Sequence, residues 1–171
     1  MEELSGHRFD DLLDLMAGAR AAPAAGSAAG WCLGVAAALL GKTARLSHRQ
    51  LSDWHDHAAT ADELRSAALA LAEDDAQAVI AMIQAAKRVD AGTPVTGAPA
   101  SDAPQSPGQT SQHADAPEQI RALARRVCDV ASLLARDGNP WLYADAEAAR
   151  LLGEASFQIA ETLIRVNDTQ M

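Results

Sequence analysis

The run from Ala21 to Gly41 constrains this chain more than any other segment: 21 residues pass without a charged side chain, and Gly30, Gly34, Ala37 and Gly41 recur within it at helical spacing. Residues three and four apart stack on one side of a helix, so this face carries almost no side chain. A second helix can approach it very closely. At ~1.5 Å per residue the run is also long enough to cross a ~30 Å hydrocarbon layer. Against that, it is mainly Ala and Gly, contains Pro23 and Ser27, and has Leu33, Val35, Leu39 and Leu40 as its strong apolar residues, so insertion would gain little free energy. The reading adopted is a helix buried on most sides by other helices, with no membrane partner.

The rest of the chain points the same way. Ala supplies 40 of the 171 residues and aromatic residues only 4%; Ala is the best helix former and a poor strand former. An all-α chain of one domain is expected. Fourteen Lys and Arg against 23 Asp and Glu leave a formal charge of −9, which repels phosphate backbones and anionic lipid surfaces and argues against a nucleic-acid partner. Cys32 and Cys128 lie far apart without metal-ligand spacing, which suits a reducing cytosol, and the polar, acidic start lacks the basic and apolar parts of a secretory signal.

Five helices are legible. Phe9, Leu12, Leu13 and Met16 mark a short amphipathic first helix that Gly18 and Pro23 end. The second starts near Gly26 and Ser27, where Ser27 is expected to cap by accepting a backbone N–H, and runs to about Gln50. Asp53 caps a third that continues to Arg88, with Leu64, Ala67, Ala68, Leu71, Val79, Met82 and Ile83 inward. Residues 90–116 hold several Pro, Gly and Ser residues and read as a flexible linker. Pro117 opens a fourth helix (Ile120, Leu123, Val127, Val130 and Leu134 inward), Gly138-Asn139-Pro140 stops it, and a fifth runs from Tyr143 to Val166 over Leu151, Leu152, Phe157, Ile159 and Leu163. The sum is an elongated five-helix bundle. Its second and third helices, roughly 36 and 52 Å long, offer surface for self-association.

Two turns place small residues and polar atoms at helix starts: Pro23-Ala24-Ala25-Gly26-Ser27, and Gly138-Asn139-Pro140 followed by Asp145. Free N–H groups there can hold an anion, although each turn taken alone reads first as a simple cap or turn. His55-Asp56-His57 puts its two imidazoles on different helix faces, so no metal site is read from it.

Taken in order, the Phe-x-x-x-Leu helix, the Pro-x-x-Gly-Ser turn and the Ala/Gly-rich helix resemble the start of the formiminotetrahydrofolate cyclodeaminase and methenyltetrahydrofolate cyclohydrolase family. Leu71-Ala-Glu-Asp-Asp75-Ala-Gln-Ala-Val is similar to its acidic stretch, Gly138-Asn139-Pro140 with Asp145 to its Gly-Asn-Pro-Asn-Ala-x-Ser-Asp motif, and Arg165-Val-Asn167 to its closing Arg-Ile-Asn. The resemblance covers residues 9 to 89 and 117 to 167. It implies a helical homodimer that binds a reduced folate, with no permanently bound cofactor, and moves protons around the one-carbon unit bridging N5 and N10. Asp75 and Asp145 are the matching carboxylates. Gly26, Ser27 and Asn139 would hold polar edges of the ligand, and Arg45, with Arg49 near it, would meet folate carboxylates.

The chain departs from the family at Ala24 and Ala25, where glycines are usual, in the segment from His48 to Trp54, where the family carries a Lys-rich run, and at Trp141, Leu142, Tyr143 and Ala144. Two functions are therefore carried forward. One is a folate enzyme, which needs an open cleft reached by Ser27, Asp75, Asn139 and Asp145; the other is a non-catalytic helical dimer acting as scaffold or binding module, with Trp141 or Tyr143 filling that space.

Overall fold

The structure, a computed structural model, describes residues 8–90 and 116–170, so the expected linker lies outside the described residues except at its two end positions. The elements are α1 (Phe9–Ala17), α2 (Ala25–Arg45), α3 (Trp54–Asp90), α4 (Ala116–Asp137), a 3-10 turn (Pro140–Leu142) and α5 (Tyr143–Gln170), with no strand among the described residues. The all-α bundle expected from the alanine content is the observed fold. α2 stops at Arg45 and the chain turns through residues 46–50, five residues short of the expected end, while α5 continues four residues past Val166.

Packing centres on α2, whose small residues set the distances. A β-carbon on Gly30 would come to 2.8 Å from the Ala72 β-carbon and 2.9 Å from the Ala68 carbonyl, so α2 and α3 touch almost backbone to backbone. Contact so close draws the axes toward the short end of the usual ~8–10 Å. Gly26 faces Asp75, Gly34 faces Leu69 and Gly41 faces Ala61, which makes the pair antiparallel. α4 and α5 form a second antiparallel pair, tied by Arg121 to Glu161 at 2.8 Å, by Arg125 over the Phe157 ring, and by Gly153 against Cys128. Ser156 of α5 donates to the Ala29 carbonyl at 3.2 Å and joins the two pairs.

The core is accordingly built from small side chains around a few large ones. Leu33, Leu40, Leu64, Ile120, Val127 and Leu134 are fully buried among Ala29, Ala36, Ala61, Ala68, Ala124, Ala131, Ala146, Ala149 and Ala160. Some expected inward positions point out: Ala67 and Met82 of α3 and Leu151 of α5 are exposed, and the buried face of α5 is Ala146, Ala149, Gly153, Ser156 and Ala160 instead. On α5 the reason is steric. Where backbones nearly touch, a methyl or a hydrogen fits and a leucine does not.

α2 has the length and hydropathy of a membrane span, with a mean hydropathy of 1.2, and 56% of that window is buried inside the protein. On its remaining face Val35, Ala38 and Lys42 are exposed and Ala28 and Trp31 half-buried. α1 contrasts with the rest, because none of its nine residues is buried.

Candidate functional site

At the start of α2 the capping arrangement differs from the expected one. The cap position is Ala24, which makes no side-chain bond, and Ser27 lies inside the first turn. The acceptor comes from α3: Asp75 Oδ2 receives the Ser27 backbone N–H at 2.7 Å and the Ser27 hydroxyl at 2.8 Å. A first-turn N–H has no partner within its own helix, and the positive end of the helix dipole favours a carboxylate there. Ser27 is therefore a donor to a carboxylate rather than a cap. Ser27 is fully buried and Asp75 is 9% exposed. Gly26 completes the group, since a β-carbon at that position would stand 2.0 Å from Asp75 Oδ1.

The replacements at Ala24 and Ala25 are compatible with this turn. Ala24 is extended at φ −132°, and no described residue other than glycine has a positive φ. Glycine's conformational freedom is not used here.

A second group surrounds the far end of α2. Asn139 caps the 3-10 turn by accepting the Trp141 N–H at 3.1 Å, donates its side-chain amide to the Leu46 carbonyl at 3.1 Å, and donates its backbone N–H to buried Ser47 Oγ at 2.8 Å. The Ser47 hydroxyl in turn donates to the Thr43 carbonyl at 2.7 Å. Asp145, at the start of α5, accepts from Lys42 Nζ at 2.9 Å. Arg45 reaches the carboxylate of Asp62 on α3. Trp141 is 94% exposed and Tyr143 56%, so neither closes a core.

The predicted residues thus form two clusters. Gly26, Ser27 and Asp75 sit at one end of α2; Asn139, Asp145 and Arg45 sit at the other. Ser27 and Lys42 are fifteen residues apart on one helix, which is about 22 Å at ~1.5 Å per residue. One protomer therefore does not bring them around a common hollow.

Lys42, Ser47 and Asp62 were not among the predicted residues. Lys42 carried a signal, being the charge that ends the uncharged run; Ser47 and Asp62 gain their partners only through the tertiary fold.

Other candidates are occupied by local contacts. His57 lies 3.4 Å from Asp53, and His55 stacks on Trp54. No group of three His, Cys, Asp or Glu side chains able to hold a metal ion occurs among the described residues. A surface depression lined by Asp11, Asp14, Leu15, Gly18 and Arg20 includes none of the predicted site residues.

The family model for the formiminotransferase-cyclodeaminase domain matches residues 8–171, nearly the whole chain. The chain belongs to the formiminotransferase-cyclodeaminase family. No curated protein matches it. Among solved structures, a formiminotetrahydrofolate cyclodeaminase from Thermotoga maritima superposes with a TM-score of 0.80 at 18% identity, over 99% of this chain and 82% of that one. At that identity the likeness establishes the cyclodeaminase fold.

Proposed function

We propose that this chain is a homodimeric enzyme of folate one-carbon metabolism, acting by acid/base catalysis on the carbon that bridges N5 and N10 of a tetrahydrofolate. One observation carries the reading: the nearly buried Asp75 carboxylate, fixed by two bonds from Ser27 on the first turn of α2, in a chain of this family and fold. A proton-transfer group must be held in register with the reacting atoms, and two donors on one oxygen do that while Oδ1 stays outside those bonds.

Two reactions fit. In the cyclodeaminase direction N10 attacks the formimino carbon, a new N10–C bond forms, and the amino group leaves as ammonia after receiving a proton. In the cyclohydrolase direction water adds to the methenyl carbon and the C–N5 bond breaks, N5 taking a proton, to give the 10-formyl product. Each needs a group that takes up and returns a proton, and Asp75 is assigned that work. Asp145 with Lys42 forms the second charged pair, and Arg45 and Arg49 supply positive charge for folate carboxylates. The reduced folate is the substrate, no permanently bound cofactor is invoked, and the cytosol is the place of action.

The ~22 Å between the clusters supports a dimer built on the open face of α2. Val35, exposed, stands midway between Ser27 and Lys42. A two-fold axis beside Val35 sets two copies of α2 antiparallel, so the Ser27–Asp75 end of one copy meets the Lys42–Asp145 end of the other. Charge agrees: Glu73 and Asp74 flank the first end, and Lys42, Arg45 and Arg49 the second.

The non-catalytic dimer draws on a different observation. The Asn139 side chain already holds Trp141 and Leu46, and Asp145 already holds Lys42. The two readings separate on titration of the purified protein with 5,10-methenyltetrahydrofolate, following methenyl absorbance, and with formiminotetrahydrofolate. The enzyme reading requires saturable turnover of one of them. Neither binding nor turnover leaves the scaffold.

A further inference from the structure

α1 is a helix with no fully buried residue. Of its apolar stripe Phe9 is 62% and Leu13 50% exposed, and Leu12 and Met16 are half-buried. A nine-residue helix is well below the ~12–15 residues at which isolated helices become even marginal in water, so a helix of this length is held by packing. Its own protomer leaves Leu12, Leu15 and Met16 half-buried and fully buries no residue of it.

At the other end of α2 a second apolar surface is exposed. The 3-10 turn that carries Trp141 is tied to the end of α2 through the Asn139 bonds to Leu46, Ser47 and Trp141. That scaffold presents Trp141 at 94% exposure beside Tyr143 at 56%, with Leu46 at 48%. Aromatic side chains projecting from a fixed turn are what binding surfaces use as anchors, because little entropy is lost when they are covered.

We propose that α1 of one copy docks on the Leu46, Trp141 and Tyr143 surface of a second copy of this chain. The inference rests on the antiparallel dimer proposed above. In that arrangement the start of α2, which α1 directly precedes, lies at the partner's α2 end, where those residues are exposed. Charge selects the same occupant. Asp10 of α1 is paired with Arg8, which leaves Asp11 and Asp14 on its polar side, while Arg49 follows Leu46 in the sequence beyond Lys42 and Arg45, which are paired with Asp145 and Asp62. The apolar stripe of Phe9, Leu12, Leu13 and Met16 covers the aromatic residues, and each copy latches the other.

The test is a cross-link between two full-length chains, one carrying Leu13→Cys and the other Trp141→Cys, mixed to allow subunit exchange and oxidised, with the bonded peptides identified by mass. A bond joining residue 13 of one chain to residue 141 of the other is expected. A dimer without that bond overturns the latch and leaves the folate reading standing, because neither cross-link nor sedimentation depends on turnover. In parallel, Phe9→Asp with Leu13→Asp is expected to raise the dimer dissociation constant about tenfold or more, while the helical circular dichroism stays unchanged, since both side chains are exposed in the protomer. An unchanged dissociation constant overturns the proposal. So does quenching of Trp141 by a folate ring with assembly unaffected, which would make the turn a ligand platform.

Discussion

Asp75 Oδ1 occupies the space where a side chain at residue 26 would begin: a β-carbon on Gly26 would lie 2.0 Å from it and 2.4 Å from the carboxyl carbon. The carboxylate is thereby seated on the helix start by the absence of an atom as much as by its bonds to Ser27. Gly26→Ala must displace Asp75 or spread α2 from α3. A loss of about 1–3 kcal/mol in unfolding free energy is expected, read as a lower urea midpoint at unchanged slope, together with loss of turnover.

Substitutions at Asp75 separate its structural and chemical duties. Asp75→Asn keeps a carbonyl oxygen to accept both Ser27 donors but cannot exchange a proton, so stability is largely retained while turnover falls by about 10²-fold or more. Asp75→Ala strands a buried N–H and a buried hydroxyl, at a cost of about 1–3 kcal/mol for each unsatisfied group. Urea denaturation and the methenyl absorbance assay on the two variants together check both statements.

Asn139→Ala tests the clamp at the opposite end. It removes the bonds to the Leu46 carbonyl and the Trp141 N–H but leaves the backbone bond to Ser47. Two partly exposed bonds of this kind are worth about 0.5–1.5 kcal/mol each. Thermal unfolding should show that loss, and hydrogen exchange should rise at Trp141 and Leu142 while α3 is unaffected.

Burial raises the thiol pKa of both cysteines, and Glu154 reinforces the effect at Cys128. A raised thiol pKa means less thiolate at a given pH, and the thiolate is the reactive form. Alkylation by iodoacetamide at pH 8 should therefore be slower than for an unstructured cysteine peptide and should reach the peptide rate in denaturing urea. Native rates equal to the peptide's would place both sulfurs in water.

Much of the fold is legible in the sequence because alanine leaves few alternatives to helix, and Gly, Pro and Asn mark the breaks. Which face of each helix turns inward is less legible. Leu151 looks like a core residue by type and spacing, yet Ala149, Gly153 and Ser156 hold the inward positions because α5 lies too close to its neighbours for a leucine. The site shows the same limit. Ser27 and Asp75 are recognisable as separate motif residues, but their bond spans 48 positions, and no local pattern reports that the carboxylate, instead of the serine oxygen, serves the helix start. Lys42 acquires Asp145 as a partner across 103 positions, and the spread of the two clusters along α2 follows only from the helix's unbroken length.

The central claim is that one catalytic site takes Asp75 from one copy and Asp145 from another, and mixing two inactive variants tests it most directly. Asp75→Asn and Asp145→Asn chains are purified separately, mixed in equal amounts, allowed to exchange subunits, and assayed for methenyltetrahydrofolate or formiminotetrahydrofolate turnover. Half of the dimers formed are mixed, and each of those holds one intact site, so activity should return to about a quarter of the unmutated protein's. If the mixture stays as inactive as its components while subunit exchange is verified, both carboxylates do not serve one shared site and the account is contradicted.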